Sequence, residues 1–291
     1  MVADQLAQGV RHQLGLGNLL PLGDAGDGAW LAESAAVAAL RAAASQAVPE
    51  VRLDGLRLTQ AAPDEAVAPA VPAPPTALPP GALRLEADFA APADAPLTTV
   101  ADRLRAALLT AADRRLGLDV AWADLRVTDL LDGPAGAAPG DSDRDAAPHG
   151  TAAATGPQPH GAHEAREAHE AEEHPPAPAD HPRATATAET VIAVPGVTRL
   201  APVLGPLLGG RTADAVSVTD VEEESGVRSR HLRIQIGVDR NARALDVARA
   251  VRQAAAKAAA WDAPEPAPSV TVAVVVTAID PAIGSGGERT A

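Results

Sequence analysis

Two stretches of the chain alternate strictly between hydrophobic and polar residues. In residues 83–89, LRLEADF, leucine, alanine and phenylalanine take the odd positions and charged residues take the even ones. In residues 231–238, HLRIQIGV, leucine, isoleucine and valine take the even positions. Successive side chains of a strand point to opposite faces, so each stretch predicts a β-strand with one buried and one solvated face.

Helical and strand patterns surround the first of these strands. Residues 30–47 place Trp30, Val37 and Leu40 on one helical stripe, and Pro49 ends this helix because proline disfavours helical geometry in the residue before it. The remaining elements predicted for this part of the chain are a strand (51–58), the strand 83–89, a helix (97–116) stopped by Gly117, and a strand (118–131).

The second half of the chain follows the same order. The first helix of each half ends in a similar phrase, AVPEVRL at 47–53 and AVPGVTRL at 193–200. The elements predicted after residue 183 are a short helix (184–193), a strand (215–221), the strand 231–238, a long alanine-rich helix (241–261) and a strand (269–279).

Each half therefore reads helix, strand, strand, helix, strand, which indicates the α+β class. We expect two small α-β-β-α-β domains, each a three-stranded sheet packed by helices. The first two strands of each sheet should form an antiparallel hairpin, and the third should enter through a helical crossover.

The middle of the chain, residues 132–183, differs from both halves. It contains no Val, Leu, Ile or aromatic residue, and its ten acidic and three basic residues give a net charge of −7. Such a segment cannot bury enough apolar surface to offset the entropy of ordering, so we expect a disordered linker. The domain organisation predicted in this way is an N-terminal extension (1–23), a first domain (24–131), the linker (132–183), a second domain (184–280) and a disordered tail (281–291).

A family resemblance attaches to the second half. The AVPGV helix end, the segment LRIQIGVDRNARALDVARAVRQAAAKAA and the closing SVTVAVVVTAI resemble the alkaline shock protein family, the Gls-type general-stress proteins of Gram-positive bacteria. The match covers residues 184–280, and residues 30–131 match it more loosely, with Glu50 where the family prefers glycine. The resemblance implies a non-enzymatic protein connected with envelope stress, sometimes held under the cytoplasmic membrane by a small membrane-embedded partner.

Charge and composition narrow the range of partners. The formal net charge of −14 repels nucleic acid, whose binding rests on neutralising phosphates, and it repels anionic membranes as well. The absence of cysteine excludes disulfides and thiol chemistry. No signal peptide and no apolar run of about 18–20 residues is visible, so we expect a cytoplasmic protein that reaches the membrane only through a partner.

The histidines are the first candidates for chemistry. Five of them lie within 22 residues among acidic side chains: His160, His163, His169, His174 and His181. Imidazole and carboxylate ligands bind zinc or nickel, but the spacing is irregular and lacks the HExxH pattern. The alternative is a solvated linker whose charge changes near pH 6.

Glycines, a pair of aspartates and the tryptophans complete the candidates. GDAGDG (23–28) and GPLLGG (205–210) lack the spacing of phosphate-binding loops, which favours turns. Asp24 and Asp27 are either a carboxylate pair or helix-start residues. The tryptophans are either anchors at the edge of the core or markers of a partner surface: Trp30, Trp122 and Trp261.

These observations predict no catalytic, cofactor-binding or metal-binding residue and no cofactor. The expected function is that of a non-enzymatic scaffold or interaction protein of the envelope and general-stress type. Its partners are other proteins, either a small membrane-anchored protein or further copies of the chain. The alternative is a metal- or small-molecule-binding module that uses the histidine-rich linker, and an enzyme whose site a single sequence does not reveal ranks last.

Overall fold

The computed structural model describes residues 16–131, 182–201, 215–222, 228–261 and 269–281. These residues form four α-helices and nine β-strands in two sheets, and all of them lie in one compact unit that spans residues 1–135 and 180–291. The elements are β1 (Leu19–Pro21), β2 (Ala29–Ala32), α1 (Glu33–Ala47), β3 (Arg52–Gln60), β4 (Leu83–Pro92), α2 (Leu97–Ala111), β5 (Val120–Leu131), α3 (Pro182–Ile192), β6 (Val197–Leu200), β7 (Val216–Glu222), β8 (Arg228–Asp239), α4 (Ala244–Trp261) and β9 (Ser269–Asp280). The mixed α and β content predicted from the sequence is confirmed.

The three-stranded sheet has the order β3-β4-β5. β3 is antiparallel to β4, and β5 runs parallel to β4 after the crossover through α2, as the sequence predicts. The alternating side chains of β4 fill the core under the helices: Leu85 and Phe89 are fully buried, as are Leu104 and Leu108 of α2. One face of this sheet is therefore covered by helices, and the charged residues of β4 lie on the other.

The second sheet has six strands in the described residues, so the prediction of three strands for this half is wrong. β8 and β9 are parallel and central, and β6 and β7 pair antiparallel with successive parts of the other side of β8. Beyond β9 lie β2 and then β1, which come from the residues that precede α1. Two strands from the beginning of the chain thus extend the sheet of its second half.

The helix predicted to begin at Trp30 begins instead at Glu33. Residues 29–32, AWLA, form β2, and their pairing with β9 places Trp30 beside Val275 and Leu31 beside Val276. All four residues of β2 are buried. A short apolar run fits a buried strand as well as a helix, and here the pairing with β9 decides in favour of the strand.

The two halves share one order of elements and strand directions. In each, a helix followed by a proline precedes an antiparallel neighbour, a central strand, a helical crossover and a parallel strand, and the second half has β6 as an additional strand after its helix. α2 packs on β5 as α4 packs on β9. They differ at the last strand: β2 covers the outer edge of β9, whereas none of the described strands pairs with the outer edge of β5.

Several contacts join the halves. α1 contacts β9 as well as α2 and β3. Arg243, just before α4, donates a hydrogen bond to the carbonyl oxygen of Asp113, 3.0 Å away. Gly117 adopts a left-handed conformation with φ of 84°, and a Cβ at this position would lie only 2.4 Å from the Cβ of Leu245. The predicted helix stop at Gly117 is confirmed, and it is also a point of close approach to α4.

Some predictions fall on residues that the structure does not describe. The expected linker lies outside the described residues as far as residue 181, as do the first 15 residues and residues 282–291 of the expected tail. α3 begins at Pro182, two residues before the expected start of the second domain. Among the described helices, none combines the length and the hydrophobicity needed to cross a bilayer.

Candidate functional site

The outward face of the three-stranded sheet forms an open groove of about 600 Å³, which we call the charged groove. All three strands contribute to it, and most of its side chains are charged. The residues that line it are Gly55, Leu56, Arg57, Arg84, Glu86, Ala87, Asp88, Asp124, Leu125 and Arg126.

The groove follows from the polar alternation that the sequence shows in β4. The strand register aligns Arg57 with Glu86 and Glu86 with Asp124, so charged side chains form a row across the sheet. A neighbouring row starts at Gly55 of β3, whose missing side chain leaves room for a carboxylate. A Cβ at residue 55 would lie 3.2 Å from the Oδ2 of Asp88.

Ion pairs between β4 and β5 organise the groove. Arg84 lies 2.7 Å from a carboxylate oxygen of Asp124 and 3.3 Å from one of Glu86. Arg126 donates two hydrogen bonds to Asp88, at 2.8 and 3.1 Å. The carboxylate of Asp88 raises the pKa of Arg126 through these hydrogen bonds and through its charge. The carboxylates in these pairs accept hydrogen bonds or ion-pair contacts from guanidinium groups.

One arginine of the groove is not engaged in this way. Within the described part of the chain, the side chain of Arg57 makes no hydrogen bond or ion pair. At the far end of the sheet, Arg52 lies 2.7 Å from Asp54 and 3.5 Å from Asp129. The hydrogen bond from Arg52 holds the pKa of Asp54 below its usual value.

Apolar side chains are exposed on the strand that borders the groove. Trp122 is 47% exposed, Val127 37% and Leu130 50%, and all three belong to β5. Of these, Trp122 pairs with Arg84 and lies on the face of the groove, so the groove combines ion-paired charges with one exposed aromatic side chain. This combination is suited to the recognition of another polypeptide, because aromatic side chains and arginines supply much of the energy of protein interfaces.

The two candidate aspartates do not form a carboxylate pair. Asp27 accepts two hydrogen bonds from Arg249 of α4, each 2.8 Å long, and one from the backbone N–H of Asp24, also 2.8 Å. The hydrogen bond from Arg249 lowers the pKa of Asp27. The loop GDAGDG is a turn that fastens the approach to β2 against α4, as its glycine content indicates.

The tryptophans have different environments. Trp30 is 1% exposed, and its Nε1 donates a hydrogen bond to the carbonyl oxygen of Leu78, 3.2 Å away. Trp122 is the exposed one at the border of the charged groove. The side chain of Trp261, the loop 205–210 and the five clustered histidines lie outside the described residues.

Sequence reasoning missed a polar cluster on β8. The Nδ1 of His231 lies 3.0 Å from the Oγ1 of Thr271, and burial together with the charge of Arg233 lowers the pKa of His231. In the described residues, the Nε of Arg233 and the Oε1 of the buried Gln235 have no hydrogen-bond partner. The alternation in HLRIQIGV was the available signal, because it places these three side chains on one face.

Neither clusters of metal ligands nor comparison with known proteins adds a further candidate site. Across the ranges that the structure describes, no three His, Cys, Asp or Glu side chains lie close enough together to hold a metal ion. Comparison of the chain with protein-family models, curated proteins and solved structures finds no match.

Proposed function

We propose that this chain is a non-enzymatic scaffold or interaction protein of the envelope and general-stress type, and that it acts through protein partners. The charged groove and its border on β5 are the surface that supports this proposal. The observation that carries it is the exposure of Trp122 beside a row of ion-paired charges, because large aromatic side chains that stay exposed next to arginines are enriched at protein interfaces.

The proposal includes a duplicated architecture. The common element order and strand directions of the two halves support an origin from one α-β-β-α-β unit, joined through the segment around residues 132–181. It also includes a location at the inner face of the membrane, reached through a membrane-anchored partner.

A charge exchange inside the groove tests the proposal. The double variant Asp88→Arg with Arg126→Asp keeps an ion pair between the two positions but reverses the charges that a partner meets. We expect the full chain, used as bait in a lysate of its own source, to retain a partner in stoichiometric amount. The exchanged variant should lose that partner by at least tenfold, measured by quantitative mass spectrometry.

The matched control exchanges an ion pair that does not line the groove. Glu50, just after α1, and Arg103 of α2 lie 2.5 Å apart, so Glu50→Arg with Arg103→Glu should bind the partner as the unaltered chain does. Circular dichroism checks that both variants fold. A partner retained equally by all three proteins, or no stoichiometric partner at all, would contradict the proposed surface.

A further inference from the structure

The outer edge of β5, the side not paired with β4, is a long strand edge that no described strand covers. β5 spans 12 residues, and none of the described strands pairs with this edge. Three large apolar side chains of β5 are also exposed: Trp122, Val127 and Leu130. A free edge presents unpaired backbone N–H and C=O groups, which can pair with another strand.

The chain itself shows what the equivalent edge binds. β9 holds the same place in its sheet as β5, parallel to the preceding strand after a helical crossover. Its outer edge pairs with β2, and residues 272–276 are all buried. Among the described strands, the same topological edge is therefore covered by a strand in one half and by none in the other.

The β5 edge carries few of the usual features that prevent strand addition, although the Nε of Arg105 in α2 donates a hydrogen bond of 3.3 Å to the carbonyl oxygen of Ala123, and a second strand would have to displace it. Natural edges carry proline, lysine or bulges that interrupt pairing. β5 contains neither proline nor lysine, and its two irregularities adjoin residues 121 and 128. The segment between them, residues 122–127, pairs regularly with β4 and leaves a regular edge on the other side.

We propose that the β5 edge pairs antiparallel with the β5 edge of a second copy of this chain, about a two-fold axis at Leu125. The three-stranded sheets of two copies would then form one continuous six-stranded sheet. This inference rests on the proposed function and deepens it, because it names a second copy as one of the protein partners.

Charge complementarity selects this register. With the axis at Leu125, Asp124 of each copy lies opposite Arg126 of the other, so the new pairs would extend the ion pairs that Asp124 makes with Arg84 and Arg126 makes with Asp88. Moving the axis by one residue to Asp124 or to Arg126 places like charges directly opposite each other. Opposite charges in such cross-strand positions stabilise a sheet, and like charges destabilise it.

The size and charge of the protein determine the conditions for the test. An interface of two strand edges is small, so association should be weak and depend on concentration. Two copies of net charge −14 repel each other, but at about 0.15 M salt this repulsion is screened beyond roughly 8 Å while contact pairs persist.

The first experiment uses sedimentation velocity of the full chain over a wide concentration range at this ionic strength. We expect a monomer–dimer equilibrium. Asp124→Arg and Arg126→Asp should each weaken dimerisation at least tenfold, because each makes the facing side chains alike in charge. An equimolar mixture of these two variants should form heterodimers, because their charges are complementary. Glu189→Arg, which makes the same charge change at an exposed position of α3, should dimerise like the unaltered chain.

The second experiment uses disulfide cross-linking. Because the chain has no cysteine of its own, an introduced cysteine is the only thiol that can react. Directly opposite residues of antiparallel strands have Cα atoms about 4.5–5.5 Å apart, within the range of a disulfide. Leu125→Cys should therefore give a covalent dimer on mild oxidation. Trp122→Cys should not, because the two copies of residue 122 would be about 20 Å apart along the strands.

The outcomes separate this inference from the proposed function. An unaltered chain that stays monomeric at every concentration, or a dimer unaffected by the charge variants, would overturn the inference. A monomeric chain whose Arg126→Asp variant loses a different protein partner would show that the charged groove binds that partner. That result would also overturn pairing with a second copy, while leaving the proposed function in place.

Discussion

At the scale of single residues, two residues of the first half contact α4 in the second half. Gly117 gives α4 room for Leu245, and Asp27 binds Arg249 of the same helix. Both contacts join a residue of the first half to α4, so loss of either contact should destabilise the packing of both halves. They differ in kind, since one is steric and the other electrostatic, and they call for different tests.

Gly117→Ala should lower the free energy of unfolding by about 2–5 kcal/mol. The left-handed backbone costs a residue with a Cβ about 1–2 kcal/mol, and overpacking against Leu245 adds about 1–3. Urea unfolding followed by circular dichroism measures the change. Gly26→Ala is the matched control, because nothing lies within 4 Å of a Cβ there, and it should stay within about 0.5 kcal/mol. Equal effects at both positions would contradict the close approach of Gly117 to α4.

Asp27→Asn should lower the free energy of unfolding at pH 7 by about 1–2 kcal/mol, since it removes a charged acceptor that is only 14% exposed. The pKa of Asp27 in the folded protein is below its ordinary 3.8. Its contribution is therefore complete above that value and is lost as the pH falls through the folded pKa.

The difference between Asp27→Asn and the unaltered protein should consequently shrink when urea unfolding is repeated near pH 3. Asp24→Asn, in the same turn, provides the control, because the Asp24 side chain makes no hydrogen bond or ion pair in the described residues. A difference that stays constant between pH 7 and pH 3 would argue against an ion pair of Asp27 with Arg249.

At the scale of elements, local sequence signals predict most strands and helix ends, but they do not predict the pairing of β2 with β9. Alternation predicts β4 and β8, and Pro49 and Gly117 mark helix ends, because these signals are local. β2 was missed because AWLA is short and continues the apolar stripe of α1. Its pairing partner lies 245 positions away, at Ala29 and Val274, and no local signal reports such a pairing.

The charged groove was partly predictable for the same reason. The polar positions of β4 predict a solvated face, and the structure shows one. The particular ion pairs, such as Arg126 with Asp88, depend on the register between β4 and β5 and on the irregularities at both ends of β5. The sequence of one strand contains no information about that register.

Trp30→Ala should lower the free energy of unfolding by about 3–5 kcal/mol, because it removes a fully buried indole from the junction of β2 with β9 and leaves a cavity. Trp122→Ala is the matched control and should cost less, about 1 kcal/mol, since that side chain is 47% exposed. Chemical denaturation measures the change in the free energy of unfolding of both variants. Similar losses for the two would mean that Trp30 does not hold the sheet.

At the scale of the whole molecule, the contacts between the halves bear on how the protein unfolds. β2 pairs with β9, α1 packs on β9, and Arg243 bonds to the turn after α2. These contacts place the described residues in one compact unit, although the order of elements repeats. Similarity of two halves in topology therefore does not imply that they fold independently.

We expect heat unfolding of the full chain to show a single transition, with the calorimetric enthalpy equal to the van't Hoff enthalpy. Differential scanning calorimetry measures both. Gly117→Ala should shift this transition to lower temperature without splitting it, because both halves depend on the contact. Two resolved transitions in the unaltered protein would instead support two independent domains.

The pairing of β2 with β9 has a consequence during synthesis on the ribosome. The nascent β2 emerges with Trp30 and Leu31 long before its partner strand exists. At about 5–20 residues per second, the 245 positions between paired residues take roughly 12–50 s to translate. Through that interval the strand must remain uncommitted or be shielded by a chaperone, so the native sheet can close only after translation has passed β9.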